Sequence, residues 1–207
     1  TMESLERDMR QALALNPPNI SIYHLTSEAN TYVAKFPPVV PEEDTAYAML
    51  DKITEMTEGA GLKRYEVSAY AKPGHQCFHN LNYWQFGDYL GLGAGAHGKI
   101  SFPDRIERHA RAKQPREYMA MALEGKSIVE QRIVSRAEIG FEFMLNALRL
   151  TEGIPVALFA ERTGFALTLV QKALDEAEGR GLIERDHQRI RPPLRGQRFR
   201  HDLQDIF

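Results

Sequence analysis

The sequence predicts an α/β chain: part of a larger α/β layer or barrel, followed by a small winged-helix-like domain. Three observations predict it. Helix-period and strand-period segments alternate through the first ninety or so residues, the pattern turns helical at Ser135, and a hairpin pattern closes the helical stretch.

The elements follow in order. Leu5, Met9, Ala12 and Leu13 share one helical face behind a candidate Ser4 cap, and Asn16-Pro17-Pro18 stops that helix. Ile20 to Leu25 then reads as a buried strand. A second helix is expected from Glu42 to Glu58, ended by Gly59 or Gly61, with Leu62 to Ala69 as the next strand. Helix and strand in alternation imply right-handed crossovers and a parallel sheet. Tyr89 to Leu92 is expected to add a strand. A complete barrel of eight units takes about 200 to 250 residues, more than precede the change of pattern, so a partial barrel is expected. The abrupt start inside a helix reads as a truncation.

From Ser135 onward, Ile139, Phe143, Leu145, Leu148 and Leu150 mark one helix and Val156 to Arg162 a second, stopped at Gly164. Leu167 to Arg180 is a third, and Leu182 to Arg185 with Arg189 to Pro192 forms the hairpin around Asp186-His187-Gln188. Three helices and a hairpin are the layout of a winged helix.

Composition narrows the function. With 26 basic and 28 acidic residues there is no global field to draw in nucleic acid or an anionic membrane. No apolar run approaches the roughly 20 residues of a membrane span, and the first residues lack signal-peptide character, so a cytoplasmic location is expected. The single cysteine, Cys77, excludes an internal disulfide and a self-sufficient iron–sulfur cluster.

Chemistry-bearing residues crowd into Pro73 to Trp84 and Tyr89 to Gly98, which hold three of the 7 histidines, the one cysteine, the one tryptophan and a run of glycines. Gly91-Leu92-Gly93-Ala94-Gly95-Ala96-His97-Gly98 invites a dinucleotide fingerprint, but that fingerprint needs a helix directly after it, and Lys99-Ile100-Ser101-Phe102-Pro103 does not begin one. A strand end where backbone approaches a cofactor fits better, with a plain glycine-rich turn as the alternative. His75, Cys77 and His79 have a spacing that zinc could use if a fourth ligand came from elsewhere. In His79-Asn80-Leu81-Asn82-Tyr83-Trp84 a helical turn would stack His79 with Tyr83 and Asn80 with Trp84. One imidazole with aromatic walls suits a porphyrin, and an ordinary hydrogen-bonded histidine remains the alternative. In the C-terminal part, Arg185, Arg189, Arg191, Arg195, Arg198 and Arg200 suggest phosphate contact, but Asp175, Glu176 and Glu178 on the helix that would enter a groove oppose it. Nucleic acid is therefore not the expected partner.

Tyr65 to Gly74, His79-Asn80-Leu81-Asn82-Tyr83-Trp84 and Gly87 to Gly98 together closely resemble the oxygen-independent coproporphyrinogen III oxidase-like radical SAM family, within it the HemW-type haem-chaperone branch. The resemblance extends over Asn16 to Tyr23 and from Phe141 to Ile183. It implies the C-terminal part of a radical SAM, partial TIM-type barrel over residues 1–125. The family's small C-terminal helical domain would occupy 126–207, beginning somewhere between 126 and 135. It also implies S-adenosyl-L-methionine (SAM) and a [4Fe-4S] cluster in the full-length protein. The cluster-binding cysteines and first SAM glycine motif of the family are not in this chain, which as cut is expected to hold no cluster and to be inactive as an enzyme. Thr26 and His97 match the family's late SAM contacts, and Gly93 and Gly95 lie in the same loop. The resemblance makes His79 the candidate haem-iron ligand, Asn80 its orienting partner, and Tyr83 and Trp84 the walls. It implies haem or porphyrin as ligand and haemoproteins as acceptors, with porphyrin biosynthesis through coproporphyrinogen oxidation as the alternative activity.

Overall fold

The computed structural model describes residues 1–26, 29 and 31–207. The chain divides into two compact units, Thr1–Cys77 and Phe78–Phe207.

In the first unit, α1 (Met2–Ala14) starts at Thr1, whose hydroxyl accepts from the Ser4 amide at 3.2 Å. The cap is thus Thr1 and not Ser4, since an N-cap oxygen reaches an amide two or three residues on. Beyond β1 (Asn19–Ser21) and a four-residue helix α2 (Tyr32–Lys35), α3 (Glu43–Gly59) runs over the predicted span. It stops where the Gly61 and Leu62 amides turn back to the Glu58 and Thr57 carbonyls. Met9 of α1, Ile53 of α3, Leu62 and Tyr70 form the buried centre of this unit.

The expected parallel sheet does not form here. Strands β2 (Lys63–Glu66) and β3 (Ala69–Ala71) stand in the order β1-β3-β2, and both pairings are antiparallel. What reads as one strand from Leu62 to Ala69 is a hairpin. The Glu66 carboxylate accepts from the Ser68 amide at 3.1 Å, and Arg64 donates to the Val67 carbonyl at 2.7 Å. These side-chain bonds reverse the chain, so β3 returns between β1 and β2. Because β3 is only three residues long, β1 pairs for three residues and the predicted strand ends at Ser21; Tyr23 to Thr26 are exposed.

The second unit begins with α4 (Phe78–Trp84), followed by a glycine-rich loop and the antiparallel sheet β4 (His97–Ser101), β5 (Ile106–Arg111) and β6 (Ile128–Ile133), with α5 (Pro115–Leu123) between the last two. The strand expected at Tyr89 to Leu92 is reduced to one bridge, Tyr89 with Lys99. Gly91 explains this. A Cβ there would lie 2.4 Å from the His97 carbonyl oxygen, so the loop presses too close to β4 to keep a regular ladder.

The main core lies in the helical part. α6 (Arg136–Ala147) opens on a capping box, Ser135 and Glu138, and buries Ile139, Phe143, Met144 and Ala147. Leu145, predicted inward, is 38% exposed because it lies two residues past Phe143, about 200° round the helix. Phe143 stacks edge-on between Phe86 and Phe159, at centroid distances of 5.6 and 5.0 Å. α7 (Ala157–Thr163) ends at Gly164 with φ +75°, as predicted. The third predicted helix starts as a 3-10 turn, Leu167–Val170, and continues as α8 (Gln171–Gly179). β7 (Ile154–Pro155), β8 (Glu184–Arg185) and β9 (Arg189–Arg191) make a sheet in the order β7-β9-β8, which contains the predicted hairpin. Two five-residue helices, α9 (Leu194–Arg198) and α10 (Arg200–Gln204), finish the chain. Among the described residues no helix is long and apolar enough to cross a membrane.

Candidate functional site

His79, Asn80, Tyr83 and Trp84 all fall on α4, a helix of 7 residues too short to be stable by itself. Leu81 and Trp84 dock it onto the helical core. The opposite side leaves His79 exposed, so an imidazole faces outward from a helix anchored by its far end.

The predicted stacking of His79 on Tyr83 is present: their rings meet edge to face, centroids 4.7 Å apart. Tyr83 is backed by Tyr89 at 4.3 Å. The Tyr89 hydroxyl accepts from Arg108 Nη1 at 2.8 Å, and Arg108 donates through Nε and Nη2 to Glu142 Oε2 at 2.9 and 2.6 Å. Arg132 holds the other oxygen of that carboxylate at 2.6 Å. Burial raises the Tyr89 phenol above its ordinary value, with the Arg108 charge opposing.

Trp84 lies under the Arg149 guanidinium, 4.1 Å from ring centroid to carbon, and its buried indole N–H has no hydrogen-bond partner among the described residues. It is the underside of α4 rather than an open surface. Asn80 is half-buried, and among the described residues no hydrogen bond joins it to His79.

The neighbouring Asn82 does more visible work. Its side-chain amide donates to the Asp88 carbonyl at 2.9 Å, closing the turn after α4. Gly87 makes that closure possible, because a Cβ there would fall 2.0 Å from Asn82 Oδ1. From Asp88 the chain is clasped by Lys99, whose side chain is 1% exposed and donates to Asp88 Oδ1 at 2.8 Å, the Phe86 carbonyl at 3.0 Å and Ser101 Oγ at 3.0 Å. Burial pushes the Asp88 carboxyl up, but the bonds from Lys99 and from the Ser101 amide and hydroxyl outweigh it and hold the group below the ordinary value. Burial likewise pulls the Lys99 ammonium down, against the attraction of Asp88.

The glycine loop is pinned from within. The Gly93 amide donates to the Tyr118 hydroxyl at 3.1 Å and the Gly95 amide to the Ala112 carbonyl at 2.8 Å, while Arg111 Nε donates to the Gly91 carbonyl. Both Gly93 and Gly95 have positive φ, 104° and 69°. A strand follows the loop, beginning with exposed His97, and no helix does, as the sequence predicts.

Thr26 belongs to the first unit, exposed beyond β1, whereas His79, Gly93, Gly95 and His97 belong to the second. In the first unit the Tyr65 hydroxyl accepts from the Cys77 amide at 3.2 Å and Asn19 donates to the His75 carbonyl at 3.1 Å, which fixes the backbone just ahead of α4. Among the described residues no cluster of three or more His, Cys, Asp and Glu side chains is placed to hold a metal ion, so the zinc arrangement of His75, Cys77 and His79 does not assemble.

Asn82, Asp88, Lys99, Arg108 and Glu142 were not foreseen from sequence. A signal did exist for Asp88 and Lys99, opposite charges bracketing a glycine run. None marks Arg108 and Glu142, which are 34 residues apart.

The arginines of the C-terminal hairpin are largely taken up by acids. Arg185 pairs with Asp175 and with Glu178, the latter at 2.9 Å, and Arg191 pairs with Glu184 at 2.7 Å. Arg189 donates to the Glu152 carbonyl at 2.7 Å.

Comparison with known proteins accounts for this combination. Residues 134–199 match the HemN C-terminal domain. The fold as a whole is similar to that of coproporphyrinogen III oxidase (HemN) from Escherichia coli, a radical SAM enzyme, with a TM-score of 0.74, 14% identity, and coverage of 100% of this chain and 51% of that one. The chain thus resembles the HemN-like proteins over its whole length, with the match to their C-terminal domain at 134–199. More particularly, it is 40% identical over 208 residues to the haem chaperone HemW of Escherichia coli (strain K12), covering 100% of this chain and 54% of that protein. The corresponding figures for the haem chaperone HemW of Haemophilus influenzae are 39% identity, 100% and 53%. The chain spans about half the length of these relatives.

Proposed function

We propose that the protein of which this chain is a part binds haem with His79 as an axial iron ligand and passes the haem to acceptor haemoproteins. The observation that carries the reading is the outward His79 imidazole, held edge-on by Tyr83 on a helix whose far side is anchored, in a chain 40% identical to a haem chaperone. An imidazole nitrogen is a good axial ligand for haem iron, and aromatic rings beside it offer the macrocycle an apolar surface. Tyr83 supplies that surface, Trp84 supports it from beneath, and Asn80 is assigned as the orienting partner of His79.

SAM is assigned to the loop with Gly93, Gly95 and His97, as a backbone-lined contact. The [4Fe-4S] cluster does not fit this chain's own residues, since Cys77 is its one thiol and a cluster takes several. Residues 1–125 are assigned to the barrel, and 126–207 to a winged-helix-like family domain whose hairpin arginines serve packing, not nucleic acid. A cytoplasmic location accords with this role.

Titration of haemin into the full-length protein and its His79→Ala variant tests the assignment. Loss of the Soret shift and weaker binding in the variant are expected; an unchanged spectrum and affinity would sink it. The second reading, oxidation of coproporphyrinogen III, is favoured by the fold shared with HemN. An anaerobic assay of the full-length protein separates the two, because an oxidase must form protoporphyrinogen catalytically.

A further inference from the structure

His79 sits on an exposed face of a seven-residue helix, where a free imidazole would sample several rotamers. An axial ligand binds better when its ring plane is already set, because ordering a side chain on binding costs conformational entropy. In this chain the His79 ring is bounded by Tyr83, and Tyr83 is bounded by Tyr89, a residue outside the His-Asn-x-x-Tyr-Trp element. We propose that Tyr89 is a positioning residue for His79, acting through Tyr83, and that Arg108 and Glu142 tether Tyr89 for this purpose.

The contacts are continuous and each is fixed at more than one point. Tyr89 is held along its backbone by paired bonds with Lys99, 2.9 and 3.0 Å, and at its hydroxyl by Arg108 at 2.8 Å. Arg108, on β5, is immobilised by two bonds to one oxygen of Glu142, on α6. Glu142 is buried and receives Arg132 on its second oxygen, so the carboxylate has its charge answered on both sides. Rigid sheet and helix thereby set the Tyr89 ring. That ring confines Tyr83, and Tyr83 leaves His79 one edge-on orientation. Separated from the imidazole by the Tyr83 ring, the Tyr89 phenol is assigned no part in ligation; its effect is on the direction of the imidazole plane.

The inference rests on His79 being the iron ligand, and its test is arranged so that the two stand or fall separately. In haem-free full-length protein, side-chain NMR of His79 is expected to report one dominant rotamer, with full averaging in Tyr89→Leu and partial averaging in Tyr89→Phe, which keeps the ring but loses the Arg108 tether. With haemin, Tyr89→Leu is expected to bind about fivefold more weakly and to show altered g-anisotropy in the ferric EPR spectrum, while Tyr89→Phe stays within about twofold of the parent. Equal thermal unfolding of the variants excludes a general loss of structure; if Tyr89→Leu unfolds, Tyr89→Met, longer and more adaptable but likewise without a flat ring, replaces it. Unchanged His79 rotamers and an unchanged EPR spectrum on removal of the ring overturn the positioning role. If His79→Ala leaves haem binding intact, the ligand assignment falls, while the haem-free NMR still decides whether Tyr89 orders His79.

Discussion

α4 and α6 lie in the same unit, yet they are held by opposite means. α6 caps itself with Ser135 and Glu138 and buries Ile139, Phe143, Met144 and Ala147, so apolar burial and its own first turn account for it. α4 has no buried residue, and the turn that follows it is closed by Asn82, Asp88 and Lys99. A helix that must present a side chain outward cannot bury itself on all sides. It depends instead on polar clasps, whose strength varies with charge state and with single substitutions in a way that an aromatic stack does not.

Substitutions ranked by size sharpen the contrast. Phe143→Ala removes a fully buried ring between Phe86 and Phe159 and is expected to cost about 3 to 5 kcal/mol in denaturant unfolding. A loss below about 1 kcal/mol would mean that the core does not hold the unit together. Lys99→Met keeps the stem's volume but deletes three hydrogen bonds. It is expected to cost about 1 to 3 kcal/mol, with amide exchange accelerated at Tyr89 and Lys99 more than in α6. Equal acceleration in both places would erase the distinction. Ser135→Ala removes the α6 cap at a cost of about 1 kcal/mol and should leave exchange around α4 unchanged.

Acid acts on both supports, through Asp88 in the clasp after α4 and through Glu138 in the α6 cap, each held below its ordinary value by the hydrogen bonds it accepts. Because the folded Asp88 carboxyl titrates below its unfolded value, its contribution is complete above about pH 4 and is lost as pH falls through the folded value. Asp88→Asn should therefore flatten the acid limb of the stability curve there, and an acid limb identical to the parent's would show that the clasp contributes nothing. The smallest effect is expected at the hairpin: Arg191→Ala breaks an exposed pair with Glu184 and should change stability by at most about 1 kcal/mol.

The helix spans were readable because their signals are local. Asn16-Pro17-Pro18 ends α1, Ser135 with Glu138 opens α6, and Gly164 stops α7, each within one turn of the element it bounds. The His79–Tyr83 stack was equally readable, since residues four apart on a helix are neighbours. The pairing of β3 was not. Val67 and Ser68 carry no glycine or proline to announce a turn, and the reversal comes from the side chains of Arg64 and Glu66.

Local chemistry thus sufficed for α1, α3, α6 and α7 and for the His79–Tyr83 stack. Folding alone decided that the first sheet is antiparallel, that the glycine run is a pinned loop beside β4, and that Tyr89, Arg108 and Glu142 meet behind Tyr83. The reason is physical: caps, turns and helical faces are set by interactions within a few residues. Strand order and charge pairing across 34 residues depend on which distant segments arrive together once the core has closed.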